Sequence, residues 1–198
     1  AMVYAEDPCQ AAAVYTTNKV KGAPLLVTKA HISDGKAQAI IVNSGIANTC
    51  SPDGEEKAEA MSRIAAESLG LAPEDIVVAS TGVIGPSLPL EPIQSGCPAL
   101  VRQLSREGHS NAAKAIMTTD THPKEYAVRF DLQGKPCTIG GMAKGSGMIH
   151  PNMATMLCFM TTDANISAKL LHQALYHVTQ DTFHMVSIVG DTSPHDMA

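Results

Sequence analysis

Charge is scarce in this sequence: only 17% of its 198 residues are charged, against about 25% in an average soluble domain. A basic excess is lacking too, with 14 Lys and Arg against 19 Asp and Glu and a net charge of −5. With no surplus of cations to neutralise phosphates, nucleic-acid binding is not expected. No apolar run approaches the ~18 residues of a membrane span; the aliphatic stretches, such as Ala39-Ile40-Ile41-Val42, are strand-sized. Ala1-Met2-Val3-Tyr4-Ala5-Glu6-Asp7 holds no basic region of the kind that opens a signal peptide, so none is expected there. The five cysteines (Cys9, Cys50, Cys97, Cys137 and Cys158) are odd in number and widely spaced, with no CxxC. Neither a disulfide framework nor a zinc site is expected. They read as small core residues in a reducing compartment.

What the chain does have is 44% hydrophobic residues, enough for a core at this length, and an alternation of strand-like and helix-like segments. Length and aliphatic content suggest strands at 11–15, 25–28, 39–42 and 76–80. A helix is expected over 54–69, capped by Asp53, with Ala58, Met61, Ala65 and Leu69 on one face, Gly70 as its stop and Pro73 beyond. Pro86, Pro89, Pro92 and Pro98 punctuate 85–98 as a loop before a short helix at 99–104, and a second short helix is expected over 111–117. Residues 126–132 and 136–140 suggest a hairpin about Gln133-Gly134-Lys135. A strand is expected over 155–162 and a helix over 167–183. Ser167 would cap that helix, and Leu170, Leu171, Ala174, Leu175 and Val178 would form its buried face. A short strand over 185–189 precedes a polar loop, 190–196. No internal repeat or low-complexity tract occurs.

General motifs fail. Gly140 and Gly145 have the spacing of a phosphate-binding loop, but Ser146 stands where Lys is required, and His150 replaces the third glycine of a dinucleotide loop. His172 and His177 fall on different helix faces. Asp191, His195 and Asp196 could form a metal cluster but read more readily as a capped loop. The informative stretch is 144–157, Lys-Gly-Ser-Gly-Met-Ile-His-Pro-Asn-Met-Ala-Thr-Met-Leu. Turn-forming residues run without pause into a strand. A threonine at that junction can have its hydroxyl aimed at the preceding carbonyl, a geometry for an N→O acyl shift and hydrolysis. The cut would free Thr155, whose new α-amine can act as base for its own hydroxyl. The alternative is that Thr155 simply starts a strand, where Thr is favoured. In Ser80-Thr81-Gly82, at the end of a strand, the Thr81 hydroxyl and the Gly82 N–H would make an oxyanion hole, or else an ordinary strand exit. Lys144 and Thr118-Thr119-Asp120 would hold a carboxylate or acyl group, or else lie in solvent.

The stretch from Lys144 to Leu157 resembles the processing-site signature of the ornithine acetyltransferases, the bifunctional glutamate N-acetyltransferases of arginine biosynthesis. Thr16-Thr17-Asn18, Asn43-Ser44-Gly45 with Ala47-Asn48, 80–85, 117–121 and Gly190-Asp191-Thr192-Ser193 follow in the family's order, spread over nearly the whole chain. The resemblance implies an α+β fold, a layered sandwich of sheets and helices shared with related aminopeptidases and convergent with N-terminal-nucleophile hydrolases. It implies cleavage between Ala154 and Thr155 into an α chain (1–154) and a β chain starting at 155. It makes Thr155 the nucleophile, Thr81 and Gly82 the oxyanion hole, and Thr118, Lys144 and Thr155 the substrate contacts. The reaction implied is ping-pong: acetyl passes from N2-acetylornithine to Thr155, then to glutamate, with acetyl-CoA as donor in some members. No metal or cofactor is implied. The implied partners are these small molecules and the chain's own β chain in an αβ heterotetramer, in bacterial cytoplasm or a mitochondrial matrix. A related aminopeptidase, or a fragment without activity, is the alternative.

The chain also departs from the family pattern. Val189 stands for Asp, His184 and His195 stand for Asn, and Ile46 stands at a position often held by Asn. Family members are about twice as long, and a downstream Glu and a C-terminal Asn and Ser of their site have no counterpart here. The expectation is a single truncated domain over 1–198 that is inactive by itself.

Overall fold

The computed structural model describes residues 1–147, 156–186 and 193–198. Among these residues two three-stranded sheets and five α-helices make up the mixed α+β architecture. The first sheet joins β1 (Met2–Gln10), β2 (Lys36–Ile46) and β3 (Ile76–Val83) in that order, with β1 antiparallel and β3 parallel to β2. The second is the antiparallel run of β4 (Lys124–Leu132), β5 (Lys135–Lys144) and β6 (Leu157–Thr162). The parallel pair requires a crossover. Helix α2 (Gly54–Leu69) supplies it and lays Ala58, Met61 and Ala65 on the sheet.

Strand β3 shows the layering. Ile76 and Val78 face a core shared with α1 (Ala23–His31), α2 and Cys97 of α3 (Glu91–Arg102). Val77 and Ala79 face the other way, into a core with Met142, Leu157 and Phe159 of the second sheet and Ala113 of α4 (His109–Ala115). A strand covered on both faces reads as a continuous apolar run rather than an alternating one. The layers are therefore helices, sheet, sheet.

Several expected elements hold. Gly70, at φ 73°, stops α2 in the left-handed conformation that glycine favours. Gln133 and Gly134, both at positive φ, form a two-residue hairpin between β4 and β5. Ser167 caps α5 (Ala168–Gln180) by accepting from the Leu170 N–H at 3.5 Å.

Others are corrected. Residues 25–28 are helical, within α1: Pro24 fits its first turn, and the Thr28 hydroxyl donates to the Val78 carbonyl at 2.7 Å. A four-residue apolar run does not distinguish strand from buried helix. Residues 11–15 form no strand within a sheet; the N–H groups of Ala11 and Val14 donate to the carbonyls of Gly35 and Ala198. One edge of the sheet is β1, whose register shifts between Tyr4 and Cys9, around Pro8. Helix α3 runs through part of the expected loop, with Pro92 in its first turn and Pro98 inside it. Asp53 precedes α2 without capping it; its carboxylate accepts instead from the hydroxyls of Ser51 and Ser87. On α5, Leu170 and Val178 are 57% and 58% exposed, and only Thr179 is buried. Residues 183–185 form a short 3₁₀ turn, and the rest of the expected strand, 187–189, lies outside the described residues. Cys97, Cys137 and Cys158 are buried as expected, but Cys9 and Cys50 are exposed.

Candidate functional site

The site lies where the carboxyl ends of β2 and β3 meet the end of β5. Parallel strands place their carboxyl ends together, where loops converge. Ser44 pairs with Thr81 and Gly45 with Gly82 across β2 and β3. Gly82 has φ 126°, and a Cβ there would stand 2.2 Å from the Gly45 carbonyl oxygen. Only glycine allows this approach. Ser44 donates to the carbonyl of Ala115, at the end of α4, so the segment that follows α4 is tied to β2.

Lys144, the last residue of β5, is 2% exposed, despite the solvated alternative that its sequence left open. Its ammonium donates to the hydroxyls of Thr81 at 3.1 Å and Thr118 at 2.8 Å. Three residues expected in one site are thus joined through one cation. Burial pushes the Lys144 pKa down, against the opposing pull of Asp120 and Asp196. A buried ammonium is tolerated where its donors are satisfied and carboxylates lie near.

Asp120 builds the neighbouring wall. Its carboxylate accepts from Lys124 Nζ at 2.6 Å and from the N–H groups of Gly145 at 2.8 Å and Thr118 at 3.3 Å. Burial raises its pKa, but these hydrogen bonds together outweigh burial and hold it below the usual carboxylate value. The same bonds anchor both segments that carry the Lys144 contacts. Beside them the Thr119 and Ser146 hydroxyls lie 2.6 Å apart.

The third wall comes from 193–198, which passes between 14–16 and β6. Val14 and Ala198 exchange N–H to carbonyl bonds, and Met197 bonds to Met156 and Cys158. This places His195 Nε2 3.3 Å from Thr81 Oγ1, and Asp196 Oδ1 2.8 Å from the Met156 N–H that it accepts. Burial first, then the Lys144 charge, pushes the His195 pKa down to about 4. Burial raises Asp196 to about 7, against hydrogen bonds and the Lys144 charge. Among the described residues its Oδ2 is buried without a hydrogen-bond partner.

The structure therefore brings together Thr81, Gly82, Thr118 and Lys144. Thr81 is not exposed at the strand end as expected; it is 1% exposed, closed over by Lys144 and His195. Ala154 and Thr155, the expected cleavage pair, lie outside the described residues, as do Val189 and the loop residues 190–192. Ile46, one of the departures, ends β2, and its carbonyl accepts from Asn43 Nδ2 at 2.7 Å. His184 lies in the 3₁₀ turn, and its Nδ1 is buried without a hydrogen-bond partner among the described residues. Asp120 and Ser193 stand in the sequence only inside longer motifs, and Asp196 only as part of a capped loop. Their role depends on contacts across 25 or more residues, which local spacing does not reveal.

Comparison with known proteins decides the family. The ArgJ family model matches residues 1–198. The chain belongs to the ArgJ family. The arginine biosynthesis bifunctional protein ArgJ of Symbiobacterium thermophilum is 52% identical over 198 residues, all of this chain and 49% of that protein. The ArgJ 1 of Clostridium acetobutylicum is 48% identical over all of this chain and 48% of its own length. The chain spans about half the length of the curated relatives it matches. Among solved ArgJ-family structures, the Bacillus halodurans bifunctional protein is 46% identical with a TM-score of 0.71, over 77% of this chain and 81% of that one. The Mycobacterium tuberculosis ornithine acetyltransferase, solved with ornithine, is 32% identical with a TM-score of 0.66, over 79% and 82%. These ArgJ folds agree with the expected α+β class.

Proposed function

We propose that the polypeptide carrying this chain is an acetyltransferase of arginine biosynthesis that moves an acetyl group from N2-acetylornithine to glutamate through Thr155. The observation that carries the reading is the buried Lys144 ammonium, which donates to Thr81 and Thr118 at the end of two parallel strands. This is a buried, polar and cationic cluster of the kind that suits an acyl-transfer oxyanion. The ArgJ relatives and the ornithine found in the Mycobacterium tuberculosis structure support the substrate class.

In this reading the polypeptide is cut between Ala154 and Thr155, and Thr155 begins the second piece. The Thr155 α-amine takes the proton of its own hydroxyl as the oxygen attacks the acetyl carbonyl. The tetrahedral oxyanion accepts from the Thr81 hydroxyl and the Gly82 N–H. The C–N bond then breaks, the amine of ornithine leaves with the proton, and acetyl remains on Thr155 as an ester. The glutamate amine attacks that ester in the reverse sequence and leaves as N-acetylglutamate. Thr118 and Lys144 hold the substrate's polar end. Acetyl-CoA is an alternative donor to the same oxygen.

The transfer balances without a redox step, and the ester conserves the acyl energy. Both pieces of the polypeptide assemble into the working unit, in our reading an αβ heterotetramer of the cytoplasm, and residues 1–198 alone do not turn over. Among the described residues no helix is long and apolar enough to cross a membrane. The test is an intact-mass spectrum of the full polypeptide before and after brief incubation with N2-acetylornithine. Two masses summing to a cut at 154/155, with an acetyl-sized gain on the piece that begins at Thr155, are expected. One uncut mass without that gain sinks the reading.

A further inference from the structure

Among the described residues two buried side chains meet at the hydroxyl of Thr81, and only one of them, Lys144, has a part in the reaction above. Oγ1 accepts from Lys144 Nζ at 3.1 Å and lies 3.3 Å from His195 Nε2. An ammonium only donates. Lys144 therefore fills one lone pair of Oγ1 and leaves one lone pair and the hydroxyl proton. The nitrogen of a neutral imidazole donates or accepts according to its tautomer. A bare Nε2 would capture the Thr81 proton, and the hydroxyl would have nothing to offer an oxyanion. A protonated Nε2 fills the remaining lone pair, and the Thr81 proton is then free to point away from both partners.

We propose that His195 is a positioning residue for Thr81, donating from Nε2–H to Oγ1 so that the Thr81 hydroxyl is presented to the carbonyl oxygen of the bound acetyl donor. The proposal rests on the reading of Thr81 as an oxyanion donor. Its geometry is built into the fold. His195 is 1% exposed, so water does not compete for the ring. Its backbone neighbours are pinned on both sides: the Pro194 carbonyl accepts from the Gly22 N–H at 2.7 Å, and the Asp196 carbonyl from the Thr16 N–H at 3.1 Å. Ser193 Oγ lies 3.4 Å from either ring nitrogen and packs the ring's other side. Burial and the Lys144 charge keep the ring neutral across the physiological range, so its tautomer, not its charge, is the variable.

Two measurements on the full polypeptide test this. With ¹⁵N-labelled histidine, and the His195 signals assigned by their loss in His195→Gln, the ring is expected to show a protonated Nε2 and a bare Nδ1. A bare Nε2 overturns the proposal, and this readout needs no activity. In acetyl transfer, His195→Phe, which keeps the ring's shape without nitrogens, is expected to lower kcat about tenfold, the scale of one hydrogen bond, with KM little changed. His195→Gln, which keeps an N–H donor, is expected to recover most of that loss. In a Thr81→Val background His195→Phe is expected to cost nothing more, because the hydroxyl it positions is gone. The same tenfold loss in that background means that the ring only packs, and overturns the proposal. If Thr81→Val itself leaves kcat intact, the oxyanion reading fails, and the tautomer result still stands by itself. Should His195→Phe not fold, the tautomer measurement decides alone.

Discussion

At the scale of single residues, the site turns on Gly82 and Lys144. Gly82 faces the Gly45 carbonyl across the β2–β3 ladder, where a Cβ would have 2.2 Å of space and the backbone stands at φ 126°. Gly82→Ala is expected to cost about 3 kcal/mol or more, combining strain with a backbone clash, as a fall in the urea midpoint at unchanged slope. A loss below about 1 kcal/mol would mean that β2 and β3 separate easily there. Lys144 is the other. Replacing it by Met keeps the length but removes the donor to both threonine hydroxyls. Transfer is expected to fall by about 10²-fold or more. Lys144→Arg is not expected to rescue, since a planar fork does not fit a site built for a compact ammonium. Steady-state rates of N-acetylglutamate formation check both variants.

At the scale of elements, apolar pattern and burial part company. On α5, Leu170 and Val178 are exposed, whereas Leu157 of β6 is 1% exposed between the sheets. In the 198-residue chain Leu170→Asp is expected to change stability by no more than about 0.5 kcal/mol, and Leu157→Ala to cost about 2–5 kcal/mol. Denaturant unfolding of the pair compares them directly, and a large loss at Leu170 would show that the helix face is covered in solution. Helix α3 carries its own test. Pro98 is exposed inside the helix and forgoes one hydrogen bond of its ladder. Pro98→Ala is expected to stabilise by about 1–3 kcal/mol. No gain would mean that the backbone there has already adapted to the ring.

At the scale of the whole molecule, the titration of the buried cluster couples to folding with opposite signs. Asp196 has its pKa raised from 3.8 to about 7, so the folded state holds a proton that the unfolded chain has lost. Its contribution to stability is present at low pH and fades as pH rises through that window. His195 is lowered from 6.5 to about 4, so the unfolded chain binds the extra proton, and its contribution grows as pH rises from about 4 to 6.5. In the native sequence the two slopes oppose each other. His195→Gln is expected to unmask a stability that falls with rising pH, and Asp196→Asn one that rises. Urea unfolding at intervals between pH 4 and 7.5 reads both slopes, and parallel profiles in the two variants would show that neither group is buried as drawn.

Much of this was legible in the order of residues, because it rests on local chemistry. The spacing of Ala58, Met61 and Ala65, the stop at Gly70, the Gln133-Gly134 turn and the aliphatic runs of β2 and β3 follow from periodicity and backbone preference within a few residues. The candidate threonines, Gly82 and Lys144 stood out because their motifs are unusual and fall in one family's order. The identity of α1 was not legible: four apolar residues fit a strand or a buried helix equally, and only the Thr28 bonds to β3 decide. Nor was the uneven covering of α5's apolar face, where Leu175 packs against Val14, Cys158 and Ala198 while Leu170 and Val178 lie exposed, since periodicity marks a stripe but not what covers it. The site's polarity was decided by tertiary structure alone. Burial makes Lys144 a shared donor, keeps His195 neutral and raises the Asp196 pKa. That burial comes from 193–198 lying between 14–16 and β6, hydrogen-bonded to residues more than a hundred positions away in one direction and about forty in the other.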